Sequence, residues 1–133
     1  MLRIMLDTNV LISLLLFPSE RMNKMMEYIF FHHQLVLSSY VVEELKEVTR
    51  RKFPTKQKVV DALLSQMSYE LVYTPTEMEE HIFEIRDVKD YPVLYTAIIE
   101  DVDILITGDK DFTGIDIEKP DILTPNDFIN QYL

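Results

Sequence analysis

The sequence predicts an α/β fold: a three-layer α/β/α sandwich around a mainly parallel sheet of about five strands. Two observations carry this expectation. Short apolar runs alternate with longer segments of helical periodicity from one end of the chain to the other. The short runs are apolar on successive residues rather than on every second one, as in strands buried on both faces. No Gly-, Pro- or Ser-rich linker divides the 133 residues, so the whole chain, 1–133, reads as one domain.

Taken in order, Leu2 to Leu6 reads as the first strand, ending at Asp7-Thr8-Asn9, a helix N-terminus. A mostly apolar helix follows from Val10 to Phe17, and Ser19 caps a second helix through about Phe31. Leu35 to Leu37 is the second strand, and Ser38 and Ser39 offer caps for a helix from about Tyr40 to Lys52. Pro54-Thr55 restarts a helix to about Ser68, and Glu70 to Tyr73 is the third strand. Thr76 and Glu79 have the spacing of a capping box, which predicts a helix ending before Asp87. Pro92 disfavours helical geometry at Tyr91, so a further helix begins near there and runs to about Asp101. Ile104 to Thr107 and Asp121 to Leu123 are the last two strands, and Thr124-Pro125 caps a terminal helix.

Composition excludes several classes. With 47% hydrophobic residues the chain is not disordered. The longest apolar run, Val10 to Phe17, is interrupted by Ser13 and is far shorter than the roughly 20 residues of a membrane span. It has neither a basic lead nor a small-residue cleavage site, so no signal peptide is expected. The lack of cysteine removes disulfides, thiolate zinc sites and thiol nucleophiles, and fits a reducing, cytoplasmic setting. Gly108 and Gly114 are the only glycines, too few and too far apart for a phosphate-binding P-loop or a dinucleotide fingerprint. His32, His33 and His81 lack metal-binding spacing.

A net charge of −10 argues against a general nucleic-acid binder. It fits an enzyme that gathers carboxylates at one metal site and keeps a local basic strip for phosphates. Lys46, Arg50, Arg51, Lys52, Lys56 and Lys58 form such a strip, or else an ordinary solvated surface.

The informative acids are those in unexpected places. Asp7 directly follows the first strand and Asp109 lies two residues beyond the fourth, at the sheet edge where open α/β sheets bind ligands. Each can also cap a helix. On the helix after Ser39, Val41, Leu45 and Val48 define the apolar face; Glu44 lies about 60° from Val41 and Glu43 about 160° away. Glu44 is therefore the carboxylate at the core edge, and Glu43 faces solvent. Asp90 precedes Val93 and Leu94 by one turn and points coreward, whereas Asp87 reads as a loop acid paired with Arg86 or Lys89. Asp7, Glu44, Asp90 and Asp109 would repel one another, and no lysine or arginine is expected on these faces. A divalent ion resolves the repulsion, and oxygen-only donors suit Mg²⁺ or Mn²⁺.

These residues fall in a familiar pattern. Ile4 to Ile12, Ser38 to Leu45, Arg86 to Leu94 and Ile106 to Phe112 resemble, in order and spacing, the four motifs of the PIN-domain family. The resemblance spans essentially the whole chain and is nearest to the toxins of toxin–antitoxin pairs, similar to virulence-associated protein C. It implies an α/β/α sandwich, a Mg²⁺- or Mn²⁺-dependent endoribonuclease activity, an RNA substrate, a small antitoxin partner and a homodimer. It also implies Asp7, Glu44, Asp90 and Asp109 as metal ligands, with Asp111 auxiliary. Thr107 or Asn9 would orient the ligands, and both join Arg50, Arg51 and Lys52 as expected RNA contacts. Two choices stay open: Asp109 over Asp111, preferred as nearer the strand, and Asp90 over Asp87, preferred on the helix argument.

Other readings compete. An aspartyl phosphatase wants a second acid two residues after Asp7, where Asn9 stands, and a phospho-receiver wants paired acids there. A PIN fold that binds RNA or protein without cutting is the rival from a different class. The helix bearing Met22, Met25, Met26, Tyr28, Phe30 and Phe31 is expected to serve the core or a dimer interface.

Overall fold

A computed structural model describes residues 1–133. The elements run β1 (Arg3–Leu6), α1 (Thr8–Leu16), α2 (Glu20–His32), β2 (Gln34–Ser38), α3 (Ser39–Lys52), α4 (Gln57–Gln66), β3 (Glu70–Val72), α5 (Tyr91–Ile99), β4 (Ile104–Ile106), β5 (Asp121–Leu123) and α6 (Pro125–Tyr132). All strand pairs are parallel, in the order β3-β2-β1-β4-β5. Helices α1, α3 and α4 pack on one another with α5 against α3, while α2 and α6 pack together, so the sheet lies between two helical layers. No helix is long and apolar enough to cross a membrane.

The central strands are buried because both faces are covered. Ile4, Met5 and Leu6 of β1 and Leu105 and Ile106 of β4 are inaccessible to solvent, and a core of 28 apolar residues extends from them into both layers. The chain leaves β1 toward β2 and β3, then returns across the sheet to β4 and β5. The strand order therefore reverses between β1 and β4. Register pairs Leu6 with Ile106, so the next residues, Asp7 and Thr107, emerge side by side at that reversal point.

Caps agree with the sequence at most helix starts. Ser19 accepts from the Met22 N–H, and Ser38 from the Val41 N–H. Thr124 and Asp127 form a reciprocal capping box on α6. At α5, Tyr91 is already helical and Pro92 sits in the first turn, so the helix starts one residue earlier than the proline suggested. The stretch from Pro54 opens as a 3-10 turn, Pro54–Lys56, before α4. On α3 the buried stripe is Val41, Leu45 and Thr49, with Val48 only half-buried.

One expected helix is absent. Residues 73–87 are irregular, and Thr76 caps nothing. A helix there would place Glu80 and Glu84 one turn apart, a like-charge pair that weakens it. It would also bury Ile82 on the stripe with Met78 and Ile85. The fold buries Phe83 instead, stacked on Tyr91 with ring centroids 4.4 Å apart, and leaves Ile82 exposed. The Tyr95 hydroxyl accepts from the Glu79 N–H at 3.1 Å, and the Tyr91 hydroxyl donates to the Glu79 carbonyl, replacing the helical partners of that residue. His81 adopts a left-handed conformation with φ 63°, which interrupts any helical run. Tertiary contacts thus outweigh the local cap signal. Phe83→Ala should cost about 3 kcal/mol in urea denaturation and should open residues 73–87 to limited proteolysis well before the rest of the chain unfolds.

Candidate active site

Asp7 sits where β1 passes into α1. Its N–H continues the sheet to the Ile106 carbonyl at 3.0 Å, and its side chain is 4% exposed. One carboxylate oxygen accepts from the Thr8 N–H at 2.7 Å and the other from the Thr107 hydroxyl at 2.8 Å. It is both the cap of α1 and an acid at the sheet edge. Burial pushes its pKa up; the two hydrogen bonds oppose this, and the charges of Glu44 and Asp109 add to it.

Thr107 links the acids of two strands. While its hydroxyl donates to Asp7, the same oxygen accepts from the Asp109 N–H at 3.0 Å. It is buried, so it orients carboxylates and is not placed to touch RNA, contrary to that part of the sequence expectation. Asn9 is exposed on the first turn of α1. Asp109 in turn accepts from the Asp111 N–H at 2.8 Å, capping the 3-10 turn Lys110–Phe112, which Phe112 anchors in the core.

Asp90 lies at the junction of the 3-10 turn Val88–Asp90 and α5. Its Oδ2 is buried and has no hydrogen-bond partner. Burial first, then the negative charge of Asp109 and a carboxyl–carboxylate hydrogen bond with it, then the charges of Asp7 and Asp87, push its pKa up to about 7. Asp87 is exposed and caps the same turn through the Lys89 N–H at 3.0 Å, rather than pairing with the Lys89 side chain. Oxygens of Asp87, Asp90 and Asp111 lie within 4.8 Å of one another. Both members of the Asp87/Asp90 choice therefore reach the same spot, and of the Asp109/Asp111 choice the trio takes Asp111 while Asp109 bears on Asp90 from the strand side. Glu44, half-buried on α3, acts on Asp7, and Glu43 is exposed.

Three residues at the site escaped the sequence reading. Tyr40, one turn before Glu44, donates its hydroxyl to the Lys89 carbonyl at 2.9 Å and ties α3 to the turn carrying Asp90. Burial, then the charges of Glu44, Asp90, Asp87 and Asp7, push its phenol up. The signal for it was its helical spacing from Glu44. Tyr91 joins Asp90 to the irregular segment. Arg86, expected to pair with Asp87, reaches Asp111 instead, Nε to Oδ1 at 3.5 Å. A cation does border the acids, contrary to the inward-face count. Of the basic strip, Arg50 is held by Glu47 at 2.7 Å and 3.1 Å, and Arg51 and Lys52 are exposed on the last turn of α3.

Comparison with known proteins fixes the family. A family model described as PIN domain matches residues 3–111. The chain belongs to the PIN domain family. No curated protein matches it in sequence. Among solved structures, this PIN domain is similar to VapBC2 from Rickettsia felis bound to a DNA fragment from its promoter, with TM-score 0.72 and 19% identity over 92% of this chain and 98% of that one. It is similar to FitAcB from Neisseria gonorrhoeae, with TM-score 0.65 and 21% identity over 92% and 97%. It is also similar to Mycobacterium tuberculosis VapC20, a sarcin-ricin loop cleaving toxin, with TM-score 0.61 and 14% identity over 83% and 92%. At these identities the likeness is one of fold.

Asp90 keeps its proton in the metal-free folded protein up to about pH 7, whereas the unfolded chain releases it near 3.8. The folded state therefore binds more protons between these values, and its stability falls as pH rises through that window. Urea midpoints measured from pH 4 to pH 8 in chelator should decline for the wild type and decline less for Asp90→Asn.

Proposed function

We propose that this PIN domain is a Mg²⁺- or Mn²⁺-dependent endoribonuclease and the toxin of a toxin–antitoxin pair, acting in the cytoplasm. The observation that carries the reading is the convergence of acids on one sheet edge, with a buried, unpartnered Asp90 Oδ2. Such an oxygen is costly unless something ligates it. The donors are all carboxylate oxygens, the set that hard divalent cations take. Asp7, Glu44, Asp90 and Asp109 would hold the metal, with Asp111 auxiliary. When bound, the ion supplies Lewis-acid polarisation of a phosphodiester and an activated water.

The rest of the work falls to the chain itself. Thr107 holds Asp7 and the Asp109 backbone in register across the reversal of the sheet. Tyr40 and Asp87 fix the turn that presents Asp90. Arg51 and Lys52 meet the RNA backbone beyond the cut, with Arg50 available once it leaves Glu47. The exposed Phe30 and Phe31 of α2, the latter 82% exposed, offer apolar surface to an antitoxin helix or a second copy. The structural neighbours support the toxin reading: besides those above, a toxin–antitoxin complex from Klebsiella pneumoniae has TM-score 0.64.

Purified wild type should cleave a structured RNA with Mn²⁺ and stop in excess chelator, and Asp7→Asn should lose activity by at least about 100-fold. A folded, Mn²⁺-loaded wild type that leaves a panel of cellular RNAs intact would overturn the reading. Thr107→Val keeps every acid but removes the hydroxyl, and should lower Mn²⁺ affinity or activity by about 10–100-fold, read by calorimetry and by cleavage rate.

A further inference from the structure

The segment that fails to form a helix builds one wall of a trench. Residues 81–86 and 111–116 line a cavity of about 640 Å³, and one of the lining residues, Asp111, belongs to the acid trio. That volume lies within the roughly 300–1,000 Å³ of ligand sites. Its apolar lining includes Ile82, Ile85 and Ile115, and Ile82 is 43% exposed. Gly114, at φ 74°, turns the far wall where a side chain would be strained. Arg86 lines it too, its side chain 80% exposed and paired with Asp111 at a long 3.5 Å. Glu84 and Asp116 line it as well, with His81, whose Nδ1 lies 3.5 Å from Glu84.

The geometry points to a substrate subsite: the trench holds one unpaired nucleotide of the RNA strand next to the bond that is cut, its phosphate on Arg86 and its base against Ile82 and Ile115. This rests on the nuclease reading. Charge fixes the phosphate on Arg86, the one guanidinium of the lining, because the other charged groups there, Glu84, Asp111 and Asp116, are carboxylates that repel a phosphate. Continuity with the acids argues for the occupant, because Asp111 belongs both to the trio and to the lining of the trench. An exposed apolar wall suits a splayed base, the form in which single-stranded RNA is read. Arg86 is free to make this contact: a loose, exposed ion pair gives little stability, and ligation of Asp111 would release the arginine altogether.

The test is RNA cleavage kinetics at saturating Mn²⁺ over a range of KCl concentrations, with a single-stranded oligonucleotide. Arg86→Gln should raise KM about five- to tenfold with kcat changed less than twofold, and should reduce the slope of log KM against log salt by about 0.7, the value for one lost phosphate contact on a single strand. Arg86→Lys should restore the slope. Ile82→Ser and Ile115→Ser should raise KM with the slope unchanged. A wild type that cuts while Arg86→Gln shows the same KM and slope overturns the subsite alone, as does a variant that loses only kcat. A wild type that neither cuts the RNA nor binds it in fluorescence anisotropy overturns the nuclease reading and the subsite together.

Discussion

Negative charge is compensated at one edge of this sheet and left uncompensated at the other, and the site depends on that contrast. At the N-terminal edge, Arg3 is bidentate to Glu70 at 3.0 Å, its N–H binds Asp103, and Lys119 reaches both Asp101 and Asp103 at 3.1 Å. The Arg3 N–H and Lys119 hold the Asp103 carboxyl below its usual range. At the C-terminal edge, Asp7 and Asp90 are pushed the other way, and the ion pair nearby, Arg86 to Asp111, involves neither of them. The same residue type is an anchor at one end of the strands and a source of repulsion at the other. The difference lies in the partners that the loops bring.

The fold holds this repulsion because its anchors are strong where the acids begin. β1 and β4 are central strands in a parallel ladder, with no solvent-exposed edge and no room to part. Thr107, rather than a cation, spans the gap between their ends, so Asp7 keeps its charge partners close without being neutralised. Asp90 comes from a different layer, through α5, and is held by a turn that Asp87 caps and Tyr40 grips. Separate elements with their own packing thus aim at one point.

Much of this was legible in the residues. The strands announced themselves by apolar runs, and Asp7 and Asp109 could be placed at one edge of the sheet; the strand order, and with it the reversal between β1 and β4, was not readable from runs alone. Helical spacing separated Glu44 from Glu43 correctly in exposure, because α3 is a regular amphipathic helix. Spacing gave less at Asp87 and Asp111. Both sit on 3-10 turns, where one residue of phase decides direction, and the structure brings both to Asp90. The stretch 73–87 was misread because its cap signal is local, whereas Phe83 and the two tyrosines that hold it act across the fold. Arg86 was given the wrong partner for the same reason: Asp111 lies 25 residues away in a loop, whereas Asp87 is its neighbour in sequence.

Tyr91 has one further consequence. Its ring packs on Phe83, its hydroxyl holds Glu79, and its backbone follows Asp90 directly. The trench wall and the ligand-bearing turn are therefore one rigid part rather than a scaffold with a replaceable loop. Inserting or deleting residues between Glu79 and Tyr91 would move Asp90 together with the wall, so that stretch can vary only by side-chain exchange at exposed positions such as Ile82.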